Sequence, residues 1–249
     1  MEITSVNNDL VKETVKLQQK KYRNQSGKFL LEGYKAIREA FDCGIVLDRV
    51  FVDKKHLREY SFAGSAIIET TDAVLKKLST TESAPEAVAI GVQKEYDKRL
   101  LNSSKKVVLL ENIKDLGNLG TIIRSSLAFG ADAIILYGDS VDIYNPKCVR
   151  ASVGNLWKLP IFHFKTVEEL KDNFSNFERV ATLPRSNNLL KTYKAKLPIL
   201  VMFGSEADGL SGDLINFATD SVKIEMAKTV ESLNLATSVS VILYQLFVD

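Results

Sequence analysis

The sequence is poor in the side chains that most metal and hydrolase chemistry requires. Its 249 residues include only two cysteines and two histidines. Cys43 and Cys148 lie far apart and form no C-x-x-C pair, which argues against a disulfide framework or a zinc site. His56 and His163 are equally isolated from each other and from the cysteines. We therefore expect chemistry that needs neither a metal nor a histidine base.

Long apolar runs and a strong charge bias are also missing. No window reaches the eighteen or so apolar residues of a membrane-spanning helix, and residues 1–12 lack a signal-peptide core. The formal net charge is +2, with 26% charged and 45% apolar residues. This composition is typical of a soluble globular protein and not of a disordered tail or a histone-like binder, and we expect a cytoplasmic location. Any nucleic-acid site must then be a local patch.

The chain is long enough for two domains. Periodicity predicts a small α/β domain over residues 1–97, a polar linker at 98–106 and a second α/β domain over 107–249. In the second domain short, wholly apolar strands alternate with helices, which indicates a parallel sheet covered on both faces. Its strands are predicted at 107–110, 133–137, 180–182, 199–203 and 222–224, and its helices include 119–129 and 232–247.

The last predicted helix, residues 232–247, is apolar on nearly every side. A helix with no polar face must be covered, either by its own sheet and neighbours or by another subunit. The sequence leaves both covers open.

Three clusters in the second domain directly follow apolar strands, which is where open α/β sheets place their sites. The first cluster spans residues 111–124. Residues 115–120 have turn chemistry, Asn118 is able to cap the helix that follows, and Arg124 lies about two turns into that helix. By itself this cluster also fits a plain capped helix with a solvated arginine.

The second cluster, residues 203–211, places Glu206 between two glycines, Gly204 and Gly209. Glycines allow close backbone approach, and a carboxylate can hold a loop or a ligand. The segment lacks both the Lys-Ser/Thr ending of a phosphate-binding P-loop and the G-x-G-x-x-G spacing of a dinucleotide site. A simple tight turn is the alternative interpretation.

The third cluster spans residues 224–234. Ile224, Met226 and Leu233 can wall a flat adenine ring, as apolar side chains do in small-molecule pockets. Ser232 is also a suitable N-cap for the last helix, and a capping role alone is the alternative.

Together the clusters resemble the three motifs of the SpoU/TrmH branch of the SPOUT methyltransferases. Asn118, Gly120 and Arg124 match the family's N-x-G-x-x-x-R segment, and residues 204–211 resemble its G-S-E-x-x-G-L-S segment. Residues 224–234 resemble its I-P-M and S-L-N segments. Residues 1–95 look like the family's ribosomal-protein-like RNA-binding domain, so the resemblance covers nearly the whole chain.

The chain departs from the family pattern at a few positions. Leu116 and Glu225 stand where the family often has proline, and Glu86-Ala87 stands where it often has Gln-Gly. Loss of proline should change loop rigidity more than chemistry, whereas Glu225 adds a charge near the expected cofactor.

The resemblance implies transfer of a methyl group from S-adenosyl-L-methionine to a ribose 2′-hydroxyl of structured RNA, with ribosomal RNA favoured over transfer RNA. The implied fold is α/β: a parallel-sheet SPOUT domain with a deep trefoil knot, plus the N-terminal RNA-binding domain. The implied assembly is a homodimer formed through the C-terminal domain, in which the partner subunit completes the arginine's site.

The implied site residues fall into three groups. The implied catalytic residues are Asn118, Arg124, Glu206, Ser232 and Asn234. The implied cofactor contacts are Leu183, Gly204, Ile224, Met226 and Leu233. The expected RNA contacts are Arg124 and part of a basic segment, residues 10–28, from which we select Lys20, Lys21, Arg23 and Lys28.

Two other functions stay open at this point. One is an RNA-binding protein of the same ancestry that has lost catalysis, against which the intact motif residues argue. The other is a nucleotide-dependent oxidoreductase on a doubly wound sheet, which would need a glycine fingerprint that this sequence lacks.

Overall fold

The structure, a computed structural model, describes residues 1–227, 229–230 and 232–248. The chain divides into an N-terminal unit, residues 1–95 with 142–157, and a C-terminal unit, residues 96–141 with 158–249. Residues 142–157, which the sequence analysis placed in the second domain, thus belong with the first unit. The predicted linker contains a short 3-10 helix, Lys98–Ser103.

The elements are numbered in chain order. The strands are β1 (Glu2–Ile3), β2 (Lys28–Glu32), β3 (Leu47–Asp53), β4 (Ile67–Thr70), β5 (Ala87–Val92), β6 (Lys106–Glu111), β7 (Ala133–Tyr137), β8 (Ile161–Phe164), β9 (Glu178–Thr182), β10 (Ile199–Phe203) and β11 (Asp220–Val222). The helices are α1 (Asp9–Lys16), α2 (Lys20–Ser26), α3 (Tyr34–Asp42), α4 (Asp72–Leu78), α5 (Leu116–Ala128), α6 (Pro146–Ser152), α7 (Val167–Phe174), α8 (Gly212–Phe217) and α9 (Leu235–Phe247). None of the described helices is long and apolar enough to cross a membrane.

The N-terminal unit is built on a mixed sheet with the strand order β1-β4-β3-β5-β2. Strand β3 runs parallel to β4 and antiparallel to β5. Val11 of α1 and Leu75 of α4 are fully buried in one core with Phe51 of β3. Residues 142–157 pack within the same unit, where the rings of Tyr144 and Trp157 lie 4.8 and 5.0 Å from that of Phe29.

The C-terminal unit confirms the predicted α/β parallel sheet. Its strand order is β11-β9-β10-β6-β7-β8, and the neighbouring strands pair in parallel. Strands β7 and β8 follow β6 on one side of it in the sheet, whereas β10, β9 and β11 lie on the opposite side of β6. The order therefore reverses between β6 and β10, and in open α/β sheets ligands bind at the carboxyl edge of such a switch point.

Both helices beside this switch point begin at residues other than those predicted. Asp115 caps α5, because its carboxylate accepts a 2.6 Å hydrogen bond from the backbone N–H of Asn118. The Asn118 side chain is therefore free for another role. Asn234, and not Ser232, caps α9, since its Oδ1 accepts from the Thr237 backbone N–H at 3.3 Å.

Helices α5 and α9 pack against each other, and the Oγ atoms of Ser125 and Ser240 lie 2.7 Å apart between them. The apolar surface of α9 is only partly covered. Val239 and Leu243 are fully buried, but Val241 and Tyr244 are 41% and 59% exposed.

Candidate active site

The loop after β10 closes tightly on itself at Gly204. A Cβ atom on Gly204 would lie 1.9 Å from the carbonyl carbon of Gly209 and 2.1 Å from the backbone N of Leu210. Ser205 and Gly209 also exchange two backbone hydrogen bonds, of 3.2 and 3.1 Å. Because the neighbouring atoms are backbone, no side chain can rotate away to admit a Cβ, and the conformation demands glycine at position 204.

A buried carboxylate joins this loop to the central strand. Glu111, the last residue of β6, is 4% exposed, and its Oε2 accepts a 2.7 Å hydrogen bond from the backbone N–H of Ser211. No ion pair to Glu111 is formed by any described residue. A buried carboxyl group is costly unless it is hydrogen-bonded. The contact with Ser211 therefore holds the end of the loop against the end of β6. Glu111 is not among the predicted site residues, although a carboxylate at the end of an apolar strand, directly before a predicted site loop, is a recognisable signal.

Three predicted catalytic residues meet at the carboxyl edge. The side-chain amide of Asn118 donates to Glu206 Oε1 at 2.6 Å, and its Oδ1 accepts from Asn234 Nδ2 at 3.0 Å. These side chains come from α5, from the loop after β10 and from the residue before α9. The two contacts fix the orientation of the Asn118 amide, because one end donates and the other accepts.

Arg124 and Ser232 are not part of this cluster. Arg124 is exposed on α5 and makes no hydrogen bond or ion pair with any described residue. It lies six residues after Asn118, which is about 9 Å along the helix and about 120° around it. Ser232 is likewise exposed, with no hydrogen bond to the described part of the chain.

The predicted cofactor contacts divide into two sets. Leu183, Gly204 and Ile224 lie just beyond the carboxyl ends of β9, β10 and β11, which are neighbours in the sheet. Met226 and Leu233 lie in the segment after β11 and are each 37% exposed. The structure thus gathers the first set at one edge and leaves the second set uncovered.

A pocket of about 450 Å³ lies beside this edge, between α9 and the segments around residues 190 and 224. Ile224 lines it together with Leu190 and Tyr244. At the same pocket the Glu225 carboxylate pairs with Lys191, with an N–O distance of 2.9 Å. The charge that replaces a family proline is therefore compensated locally.

The structure also shows the surroundings of the other two positions at which the chain differs from the family pattern. Leu116 is the first residue of α5, the helix position at which proline is most favourable, so the usual proline would fit this start. Glu86 accepts hydrogen bonds from the Tyr34 backbone N–H at 2.7 Å and from the Tyr60 hydroxyl at 3.1 Å. Burial alone would raise the pKa of Glu86, but hydrogen bonds from its own backbone N–H, from the Tyr34 N–H and from the Tyr60 hydroxyl hold it below its ordinary value.

The structure corrects one residue of the predicted basic patch. Arg23 is 1% exposed; it donates to Asp142 Oδ2 through Nε at 2.8 Å and to the Leu17 carbonyl through Nη1 at 2.8 Å. A buried guanidinium held by these partners belongs to the packing of the N-terminal unit and not to its charged surface.

The remaining lysines of the patch are accessible to different degrees. Lys20 and Lys21 on α2 are exposed. Lys28 pairs with Asp48 at 3.0 Å and retains 38% exposure of its side chain. The ammonium groups of Lys16 and Lys21 lie 5.8 and 5.7 Å from the ring centroid of Tyr22, which adds an aromatic side chain to this basic surface.

The described residues hold no group of three or more His, Cys, Asp or Glu side chains placed to bind a metal. The carboxyl edge instead offers amide groups, a carboxylate, closely packed glycine backbone and uncovered apolar side chains. Fold and site therefore define an α/β protein with a candidate site at the switch point of a parallel sheet.

Residues 105–244 match the SpoU rRNA methylase family, and residues 8–89 match the MRM3-like substrate binding domain. The chain belongs to the SpoU methylase family. It is 32% identical to an uncharacterized tRNA/rRNA methyltransferase of Synechocystis, with 98% of this chain and 92% of the relative covered. It is 26% identical to a 23S rRNA guanosine 2′-O-methyltransferase of Bacillus subtilis, with 98% of each covered.

Two solved structures share the fold over nearly the whole chain. An rRNA methyltransferase from Sinorhizobium meliloti with AdoMet bound has a TM-score of 0.89 at 27% identity, covering 98% of this chain and 96% of that one. The SpoU methyltransferase AviRb from Streptomyces viridochromogenes, in complex with AdoMet, has a TM-score of 0.86 at 26% identity, with 96% and 97% covered.

Proposed function

We propose that the chain transfers a methyl group from S-adenosyl-L-methionine to a ribose 2′-hydroxyl of ribosomal RNA. The observation that carries this proposal is the Asn118–Glu206–Asn234 cluster, held beside the closed Gly204 loop at the switch point of the sheet. The names of the relatives support the substrate class, because those from Bacillus subtilis and Streptomyces viridochromogenes are 23S rRNA 2′-O-methyltransferases.

The carboxyl edge suits this cofactor. In the segment after β11, Met226, Val230 and Leu233 expose apolar surface that the flat adenine ring can cover. When bound, S-adenosyl-L-methionine supplies an electrophilic methyl group on a sulfonium. We assign its binding to Gly204, Ile224 and Leu233, with Leu183 and Met226 as further contacts.

The protein's contribution to the step is chiefly alignment. A ribose hydroxyl must sit at near-attack distance in line with the methyl group, and fixed neighbours supply much of the rate. Asn118, locked between Glu206 and Asn234, offers such a fixed polar surface, and Ser232 adds a hydroxyl nearby in sequence. We assign Arg124 to the hydroxyl and the adjacent phosphate, since a guanidinium is a poor base but its planar fork of N–H donors suits a phosphate.

The exposed position of Arg124 leaves it accessible to a second copy of the chain. We propose a homodimer through the C-terminal unit, with Arg124 acting on a site completed by the partner subunit. The contact surface would include Val241 and Tyr244, which are exposed on α9. The ring of Phe129 lies 5.7 Å from that of Tyr244 and adds to this apolar surface. We also propose that the segments after β9 and β11 are threaded as the trefoil knot of the family.

We assign RNA binding to residues 1–97, most of which lie in the N-terminal unit, and the methyltransferase site to residues 107–249. Lys20 and Lys21 provide exposed positive charge for the phosphate backbone. Lys28 contributes less, because its ammonium group is paired with Asp48. We also propose a cytoplasmic location.

The test is methyl transfer to defined RNA. Purified protein is incubated with methyl-labelled S-adenosyl-L-methionine and unmodified 23S rRNA or transfer RNA transcripts, and the labelled nucleosides are identified by mass spectrometry. We expect 2′-O-methylated ribose in 23S rRNA. Cofactor binding without transfer to either RNA would instead favour a non-catalytic RNA-binding protein, and label on a base would overturn the assigned acceptor.

A further inference from the structure

Helix α3 carries aromatic and arginine side chains on a solvent-facing stripe. Tyr34, Arg38 and Phe41 are spaced by four and three residues, which places them on one side of the helix. Tyr34 and Phe41 are 40% and 39% exposed, whereas Ile37 and Ala40 of the same helix are fully buried. The stripe therefore lies beside the core-facing side of the helix and is separate from it.

A fourth side chain, Phe62 of the 3-10 helix Ser61–Ala66, packs against this stripe. Its ring centroid lies 5.0 Å from that of Phe41 and 6.3 Å from that of Tyr34, and the Arg38 guanidinium carbon lies 4.8 Å from it. The buried ring of Tyr60 meets Tyr34 edge-on at 5.5 Å. We call Tyr34, Arg38, Phe41 and Phe62 the α3 stripe.

The stripe is ordered before any partner arrives. Glu86 fixes the first residue of α3 by accepting from the Tyr34 backbone N–H, and it fixes the supporting ring by accepting from the Tyr60 hydroxyl. Surfaces that are already rigid lose little entropy on binding, which is the usual advantage of aromatic contact residues.

Cationic side chains flank the α3 stripe, interspersed with acidic ones. Lys35, next to Tyr34, and Arg58, two residues before Tyr60, are exposed and form no ion pair with any described residue. Of the nearby acids, Asp42 pairs with Arg38 at 2.9 Å, Glu86 accepts from the Tyr34 N–H and the Tyr60 hydroxyl, and Glu59 is exposed. Exposed aromatic faces, an arginine plane and free cations together are the chemistry that binds unpaired nucleotides, whose bases stack while their phosphates meet the cations.

We propose that the α3 stripe is a stacking platform for unpaired bases of the RNA substrate. It acts apart from the lysines of α2, which contact the phosphate backbone of any RNA. This proposal rests on the proposed function, because it assumes that RNA is the ligand of the N-terminal unit. Double-stranded RNA conceals its base faces and cannot use such a platform.

The test compares single-stranded and duplex RNA at several salt concentrations. The probe is a fluorescently labelled RNA of about ten nucleotides, alone or annealed to its complement. Tyr34→Leu should weaken single-strand binding by roughly five- to a hundred-fold, as loss of one stacked base does, without changing the salt slope. Tyr34→Phe keeps the ring and should bind as the wild type does. Lys20→Ala with Lys21→Ala should instead flatten the salt slope for both probes.

Controls separate stacking from damage to the fold. Val46→Ala removes a 65% exposed apolar side chain from the same unit and should change neither probe's affinity. Thermal unfolding of each variant reports whether the unit stays folded. Equal single-strand affinity of Tyr34→Leu and wild type would overturn the platform and favour a protein partner for this surface. An equal loss for duplex RNA would also overturn it, as would failure of the wild type to bind the single-stranded probe, whereas the proposed function is tested separately by methyl transfer to 23S rRNA.

Discussion

The structure leaves no room for a side chain at position 204, so Gly204→Ala should have a large effect. The added Cβ would lie 1.9 Å from the Gly209 carbonyl carbon, 2.1 Å from the Leu210 N and 2.2 Å from the Gly209 oxygen. Since real Cβ atoms do not approach backbone this closely, the loop must open. Opening breaks the paired backbone hydrogen bonds between Ser205 and Gly209.

The size of the effect follows from those contacts. Two backbone hydrogen bonds contribute about 1–3 kcal/mol in total, and binding that requires the loop closed would weaken by roughly five- to a hundredfold from their loss alone. Because the closed form is sterically forbidden in the variant, we expect cofactor affinity to fall by about a hundredfold or more.

Two matched glycines calibrate this prediction. Gly209 has φ +69° and open space around it, so Gly209→Ala costs only backbone strain of about 1–2 kcal/mol. Gly212 begins α8 with no atom within 4 Å of an added Cβ, so Gly212→Ala should bind cofactor normally. Calorimetric titration with S-adenosyl-L-methionine, alongside thermal unfolding, measures the series. Wild-type affinity in Gly204→Ala would refute the reasoning, as would a loss in Gly212→Ala as large as that in Gly204→Ala.

The other predictions concern the charged groups. Arg124→Lys should lose most methyl transfer in a single-turnover assay while cofactor affinity is unchanged, because a point charge cannot replace the guanidinium fork, and near-normal turnover would remove Arg124 from the mechanism. Glu111→Leu leaves the Ser211 N–H without an acceptor and should lower the free energy of unfolding, measured by denaturant titration, by about 1–3 kcal/mol. Glu111→Gln keeps an acceptor oxygen and should lower it less. Equal losses in the two variants would contradict the assigned contact. The pKa of Glu86 is lowered on folding from its ordinary 4.5, so its contribution is present above that value and lost as the pH falls below it. Glu86→Gln should therefore unfold with less dependence on pH in this acidic range than wild type, and an unchanged acid-unfolding profile would show that these contacts do not matter.

Much of the C-terminal unit was predictable because its strands are short and wholly apolar. The predicted bounds of β7 and β10 are those observed, and the parallel sheet followed from strand–helix alternation. The meeting of Asn118, Glu206 and Asn234 was expected from the family motifs, which collect residues distant in sequence at one sheet edge. Their hydrogen bonds were not, since periodicity carries no information on side-chain partners.

The prediction was wrong where tertiary contacts override local pattern. A basic segment indicates solvated charge, but Arg23 is buried because Asp142, more than a hundred residues away, pairs with it. Asn118 and Ser232 are good capping residues, yet Asp115 and Asn234 cap the helices, because each cap choice depends on where the preceding loop enters.

The most direct test of the account is a crystal structure of the chain with S-adenosyl-L-methionine bound. The account predicts the cofactor at the carboxyl ends of β9, β10 and β11, in contact with Gly204, Ile224 and Leu233 and with its methyl group open toward the Asn118–Glu206–Asn234 cluster. A cofactor bound at any other surface, or with its methyl group turned away from that cluster, would contradict it.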